Sequence, residues 1–243
     1  MTNEILLAII QAVTEFLPIS SSGHLALISN LIGTPDLFLI TILHFASLLA
    51  VVIFLRKEIK QLLSFDKKYS KLWIFLIIGT IPAALFGFFF KSIINSSLSS
   101  FLVLGISFLF TSVILFITKF AKEYSNLNIK NSLFIGLMQV LALFPGVSRS
   151  GITISSGLFS GLNREKAAKF SFLLFIPLEL GAMILELGEF YFSYTLFIAL
   201  VICFILSLVF LNILYIVVKN GKFWLFSIYS FIIGLIALYL YFK

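Results

Sequence analysis

The sequence predicts an all-α polytopic membrane protein: an inverted repeat of two units, each a re-entrant helical hairpin plus three transmembrane helices, six spans in total. Three observations carry this prediction. Of the 243 residues, 61% are hydrophobic and only 11% charged, more apolar surface than a water-soluble domain of that size can bury. Most of the apolar residues fall in runs of about 20, the length that crosses a bilayer. Two polar breaks interrupt shorter apolar stretches and match each other residue by residue. The alternating segments of about 10 residues expected of a membrane barrel are absent.

Taken in order, the chain opens with short apolar segments at 4–17 and 25–32, too short to cross about 30 Å of hydrocarbon. They flank the break "PISSSG". Spans follow at 37–55, 72–90 and 101–118. A second pair of short segments, 133–144 and 152–162, flanks "PGVSRSG". Spans at 170–187, 194–218 and 223–242 complete the chain. Irregular backbone at membrane depth survives only where protein buries it or it lines a polar cavity, so each short pair reads as a re-entrant hairpin.

Aligning Ser20-Ser21-Ser22-Gly23 with Ser148-Arg149-Ser150-Gly151 sets Gln11 opposite Gln139, with Pro18 and Pro145 ahead of the serines. Repeat 1 therefore covers about 1–118 and repeat 2 about 131–243 of a single membrane domain. Units with an odd number of spans must be inverted relative to each other.

Basic residues support that arrangement. With the N-terminus outside, fourteen Lys and Arg fall on the cytoplasmic side. Six lie in 56–71, three in 119–130 and three in 164–169, together with Lys219 and Lys222. Only Lys91 and Lys243 fall outside, and Glu186 and Glu189 lie near an external turn. This is a strong positive-inside bias. It also accounts for the net charge of +7 without a nucleic-acid partner. The start, "MTNEILLAII", has no basic n-region, so no cleaved signal peptide is expected. Cys203 is the single cysteine, which excludes an intrachain disulfide and a cysteine-based metal cluster.

The breaks carry the chemistry. Pro18 disfavours helix at Leu17, ending the first short helix there. Gln11 and Glu15 are four apart and share a face directed at the break. Ser20, Ser21, Ser22 and Gly23 offer hydroxyls and closely approachable amides, with Ser22 a candidate N-cap. Ser148, Ser150 and Gly151 repeat the design. Helix N-termini facing one region make an anion site, and the glycines and serines suit phosphate.

Arg149 costs about 2.5–3.5 kcal/mol at bilayer depth on insertion scales. It is either an ion-pair partner of Glu15 or a bidentate clamp on a phosphate or carboxylate. His24, beside Glu15 and the serines, is a candidate for proton transfer or nucleophilic attack. Glu15 is a candidate metal ligand or base. His44 either lines the site or bonds a neighbour. Glu179, mid-span, reads as one member of a structural pair or as lining a shallow polar cavity, rather than as catalytic.

"QAVTEFLPISSSGHL" and "PGVSRSGITI" resemble the two signature segments of bacterial undecaprenyl-diphosphate phosphatases of the bacitracin-resistance type. "ILHFASLLAVVIFLRKEI", "TIPAALFG" and "AAKFSFLLFIP" are similar to that family at corresponding places, so the likeness covers most of the chain. The resemblance implies an integral membrane enzyme that removes the terminal phosphate of undecaprenyl diphosphate. That reaction regenerates the lipid carrier for cell-wall polymers. It implies a divalent cation, Mg²⁺ or Ca²⁺, and a plasma-membrane location. The catalytic set it implies is Glu15, Ser21, His24 and Arg149, with Gln11 beside them. Some members carry a glutamate at the position of Gln11. Members often carry an apolar residue at that of Glu179, and a glycine at the Phe45-Ala46 step. The residues leave Ser21 and His24 as alternative nucleophiles. A polyprenyl-phosphate transporter using the same midplane site is the rival function, and a homodimer is carried as a candidate assembly.

Overall fold

Pro18 stops α1 (Thr2–Phe16) just short of the first break. Beyond it, α2 (Ser21–Ile32) begins. The computed structural model describes residues 2–32, 37–64, 67–186 and 193–243. Leu187, the end of the fourth expected span, and Glu189 lie outside the described residues, as does the side-chain environment of Glu186.

Among the described residues every regular element is a helix. After α2 come α3 (Leu37–Phe54), α4 (Arg56–Leu63), α5 (Lys67–Phe89), α6 (Lys91–Ser97) and α7 (Phe101–Ile117). The second half holds α8 (Ile129–Leu141), α9 (Arg149–Phe159), α10 (Arg164–Glu186), α11 (Tyr194–Lys219) and α12 (Phe226–Phe242). Five helical stretches, including those of α5, α7, α10, α11 and α12, are long and apolar enough to cross a membrane. The bent pair α3 and α4, turned by 77°, makes a sixth. The protein is thus a polytopic helical membrane protein. The bend falls where the apolar run gives way to Arg56, Lys57 and Lys60, so α4 leaves the span direction as its composition turns polar.

The short helices start earlier than their apolar residues suggest, because polar caps precede them. Ser20 Oγ accepts a hydrogen bond from Gly23 N at 3.2 Å, so Ser20, rather than the expected Ser22, caps α2. Ser148 caps α9 in the same way through Gly151 N at 3.1 Å. Asn128 caps α8 through Asn131 N at 3.0 Å. Ser21 and Arg149 consequently occupy the first turn of a helix, not a loop.

Packing follows membrane rules, with small residues inside and large apolar ones turned outward. Gly136 of α8 sits so close to Gly79 of α5 that a Cβ would come within 2.7 Å of the Gly79 carbonyl oxygen. Between α3 and α11, Ser47 Oγ and Ser207 Oγ are 3.1 Å apart. Ser112 of α7 donates to the Ser227 carbonyl at 2.8 Å where α12 begins. Phe88, Phe89 and Ile184 face outward. The first helix of each half packs on a span of the other half: α1 against α11, and α8 against α5.

Candidate active site

The two breaks are bonded to each other. Ser20, the one described non-glycine residue with positive φ (68°), turns its Oγ to accept from Gly146 N at 3.1 Å. Ser150 Oγ donates to the Phe16 carbonyl at 2.9 Å, tying the start of α9 to the end of α1. Thr111 of α7 braces the second break, donating to Gly146 O at 3.0 Å and accepting from Ser148 N at 3.2 Å. Gly23 lies at the seam, where a Cβ would come within 2.6 Å of Phe108 Cζ and 2.8 Å of Gly146 Cα.

Glu15 is the hub. Its Oε2 accepts from Ser21 Oγ at 2.6 Å and from Gln11 Nε2 at 2.8 Å. Its Oε1 accepts from Arg149 Nη2. The guanidinium lies 3.9 Å over the Phe175 ring of α10, a cation–π contact that holds its plane. Its Nη1 is buried with no hydrogen-bond partner among the described residues. The other two members come from the spans. Glu179 of α10 has Oε2 3.8 Å from Arg149 Nη2 and Oε1 2.7 Å from His44 Nδ1 of α3, and that nitrogen is 4.0 Å from Glu15 Oε2. The His44–Glu179 contact is close in distance but not aligned as a hydrogen bond.

These groups form one end of a cavity of about 520 Å³. Its polar end holds Ser20, Ser21, Ser22, Ser148 and Arg149 with Glu15, His44 and Glu179. Its walls continue along apolar surface from Ala83, Phe88, Leu143 and Leu185, and Lys91 and Asn95 border it. Gln139 of α8 also lines it, fully buried, with Oε1 unpartnered.

Of the residues expected at the site, Glu15, Ser20, Ser21, Ser22, Ser148 and Arg149 share this cavity. Gln11, Gly23, Ser150 and Gly151 stand behind it as supports. His24 does not point in. Its Nδ1 is 2.8 Å from the Ser20 carbonyl and its Nε2 2.8 Å from Tyr229 OH. The ring is stacked on Tyr229 and set edge-on to Phe108. A carbonyl only accepts, so the proton resides on Nδ1 and Nε2 accepts from the tyrosine. Glu179, read from sequence as a member of a structural pair or of a shallow polar cavity, is both: it pairs with His44 and lines the cavity shared with Glu15 and Arg149. The signal was present: His44 and Glu179 are both ionisable residues inside spans, and each needs a polar partner. What sequence lacked was that α3 and α10 pack side by side.

One ligand atom each from Glu15, His44 and Glu179 lie within 4.8 Å of one another, a group able to hold a metal ion. Two carboxylates and an imidazole suit a divalent cation, so the residues present fit one.

Fold and site together define a class: a helical membrane protein whose bundle encloses an arginine, carboxylates and hydroxyls, opening along an apolar wall. Such a cavity suits an amphiphile with an anionic headgroup. The chain belongs to the family described as Bacitracin resistance protein BacA, whose profile matches residues 4–236. It is 43% identical to the undecaprenyl-diphosphatase of Thermosipho africanus, over 98% of this chain and 99% of that protein. The undecaprenyl-diphosphatases of Thermotoga maritima and Methanococcus maripaludis are 38% and 37% identical. These alignments cover 96% and 97% of this chain, and 98% of each relative.

Proposed function

We propose that the chain hydrolyses undecaprenyl diphosphate to undecaprenyl phosphate and inorganic phosphate. It thereby returns the lipid carrier to cell-wall polymer synthesis and contributes to the bacitracin resistance for which its family is named. The carrying observation is the Ser21 hydroxyl held 2.6 Å from Glu15 in a cavity shared with Arg149. Ser21 Oγ attacks the terminal phosphorus while Glu15 takes its proton. The bond to the bridging oxygen breaks and undecaprenyl phosphate leaves. Glu15 passes that proton to the departing bridging oxygen. Water then attacks the phosphorylated serine, giving its proton to Glu15, which returns it to Ser21 Oγ as phosphate leaves. Arg149 Nη1, unpartnered among the described residues, donates to the phosphoryl oxygens. Such transfers depend mainly on positioning and charge neutralisation. His24 acts through Ser20, holding the strained peptide that caps α2, and not as the attacking group.

Glu15, His44 and Glu179 would hold the divalent cation that the family resemblance implies, Mg²⁺ or Ca²⁺. Such an ion neutralises phosphate charge and polarises the reacting bonds when bound. The isoprenoid chain runs along the apolar wall of α5 and α10, past Ala83, Phe88 and Leu185.

The same reading takes the two halves as inverted repeats, about 1–118 and 131–243, whose hairpins enter from opposite faces of the plasma membrane. The N-terminus is then outside. The matched Ser20 and Ser148 caps, the reciprocal packing of α1 on α11 and α8 on α5, and the distribution of Lys and Arg support it.

The test is phosphate release from a C55 diphosphate by purified protein in detergent, where no gradient exists. Wild type is expected to release phosphate, and Ser21→Ala, Glu15→Gln and Arg149→Ala to lose it. Lipid movement across vesicles without phosphate release would replace the enzyme with the transporter.

A further inference from the structure

We infer that the outer face of α4 is a binding surface for the headgroups of anionic phospholipids. The inference is independent of the reaction proposed above and needs only that α3 and α5 cross a bilayer.

The sequence supplies the charge. Between positions 56 and 71 stand six Lys and Arg against two acids, Glu58 and Asp66. The structure sorts them. α4 turns 77° from α3, so it lies across the span direction where the apolar run ends. Arg56, Lys57, Lys60 and Gln61 are exposed along one face. The opposite face carries buried Leu62 and half-buried Ile59, both packed against the core. That division is what a helical period gives an amphipathic segment. Glu58, the acid within α4, engages the bundle, its Oε1 3.0 Å from Lys169 Nζ of α10. Among the described residues no carboxylate pairs with Arg56, Lys57, Lys60 or the exposed Lys71.

Two further observations set this face at the level of lipid headgroups. Trp73 of α5 donates its indole N–H to the Leu62 carbonyl at 3.0 Å. This ties the end of α4 to the first turn of the candidate span Ser70–Phe89. Indoles, apolar in body and polar at one edge, settle at the membrane–water boundary. Leu63, 58% exposed, gives the basic face an apolar border that can enter the acyl region while the lysines reach outward. Clustered Lys and Arg beside a span attract anionic lipid. A soluble acidic partner would meet the charge but leave Leu63 and Trp73 uncovered.

Trp73 also supplies the reporter, as one of two tryptophans. Trp224→Phe makes it the single one and keeps an aromatic ring beneath Lys119. The full-length Trp224→Phe protein is reconstituted into phosphatidylcholine vesicles. These contain equal fractions of either acyl-brominated phosphatidylglycerol or acyl-brominated phosphatidylcholine, and bromine quenches the indole it touches. Quenching at low salt is expected to report phosphatidylglycerol enriched beside Trp73 at least about threefold. High salt should bring the two lipids toward parity, as screening requires. Arg56→Gln, Lys57→Gln and Lys60→Gln combined should abolish the preference. Quenching by brominated phosphatidylcholine should stay unchanged in that variant, showing that Trp73 keeps its depth.

Equal quenching by the two lipids at low salt overturns the inference and leaves the basic residues as an orientation signal alone. A preference that survives the triple substitution overturns it as well. If the triple variant misfolds or shifts Trp73, the salt series on the Trp224→Phe protein decides, and a preference insensitive to salt sinks the electrostatic site.

Discussion

Arg149 and Glu15 stand 134 positions apart in the chain, yet Arg149 Nη2 donates to Glu15 Oε1 where the two breaks meet. Each comes from a helix end that a serine ties to the other break: Ser20 to Gly146, and Ser150 to Phe16. Glu15 is almost completely buried, with 2% of its side chain accessible, while Arg149 keeps 17%, so the carboxylate depends on the arginine more than the arginine on it. The pair joins the two breaks and leaves Nη1 of the arginine available to a ligand.

Arg149→Ala should reduce phosphate release on the order of 100-fold or more, by analogy with loss of a transition-state hydrogen-bond donor. Arg149→Lys should recover little, because an ammonium cannot reproduce the planar fork that serves Glu15 and a phosphate together. Steady-state phosphate release decides it, and near wild-type turnover in Arg149→Ala would sink the assignment.

Glu15→Gln should lose activity and also stability. It removes the nearer of two carboxylates from Arg149 and leaves Glu179 at 3.8 Å, so the loss should fall below the about 3–5 kcal/mol that a wholly unpaired buried charge costs. The melting temperature in detergent should fall for Glu15→Gln and fall less for Ser21→Ala, which removes a hydroxyl and no charge. Equal thermal shifts in the two variants would argue against the ion pair as a structural tie.

Gly23→Ala and Gly181→Ala should behave oppositely. A Cβ at Gly23 meets Phe108 at 2.6 Å and Gly146 backbone at 2.8 Å, whereas one at Gly181 meets nothing within 4 Å. Overpacking should cost Gly23→Ala about 1–3 kcal/mol. Gly181→Ala, inside α10, should gain about 0.5–1 kcal/mol from reduced backbone freedom in the unfolded chain. Thermal unfolding of the two variants in parallel checks both signs.

Ser20 pulls in two directions, since its φ of 68° favours glycine while its hydroxyl bonds Gly146 N and Gly23 N. Ser20→Ala keeps the strain and loses both bonds; Ser20→Gly loses the bonds but relieves the strain. The alanine variant should therefore be less stable than the glycine variant by about 1 kcal/mol. The reverse order would show that the positive φ carries no strain here.

Tyr229→Phe should separate a positioning histidine from a catalytic one. It removes the hydroxyl on His24 Nε2 and leaves a buried acceptor unsatisfied, at about 1–3 kcal/mol. Turnover should drop modestly with the melting temperature, while Ser21→Ala loses turnover out of proportion to its small fall in melting temperature. A Tyr229→Phe protein as stable as wild type but catalytically dead would restore His24 to the reaction.

Periodicity and hydropathy located the spans because bilayer thickness constrains the length of every crossing helix, whatever its neighbours. The helix starts at Ser21 and Arg149 were harder to read. Both positions are polar, and a cap is recognised by a hydrogen bond that hydropathy does not register. Glu15, Ser21 and Arg149 were legible because a proline or a serine-rich turn beside them marked a break in an otherwise apolar chain.

By itself the sequence determined the membrane class, the six apolar runs, the paired breaks and the residue types gathered in them. Those follow from local chemistry: solvent-averse runs of fixed length, and polar residues that cannot remain in lipid unpartnered. The tertiary structure alone decided which polar groups meet. It turned His24 away toward Ser20 and Tyr229, and brought His44 and Glu179 from separate spans to Glu15. The reason is geometric: a side chain's direction follows from its helix's rotation against its neighbours, and that rotation is set by packing of residues far apart in the chain.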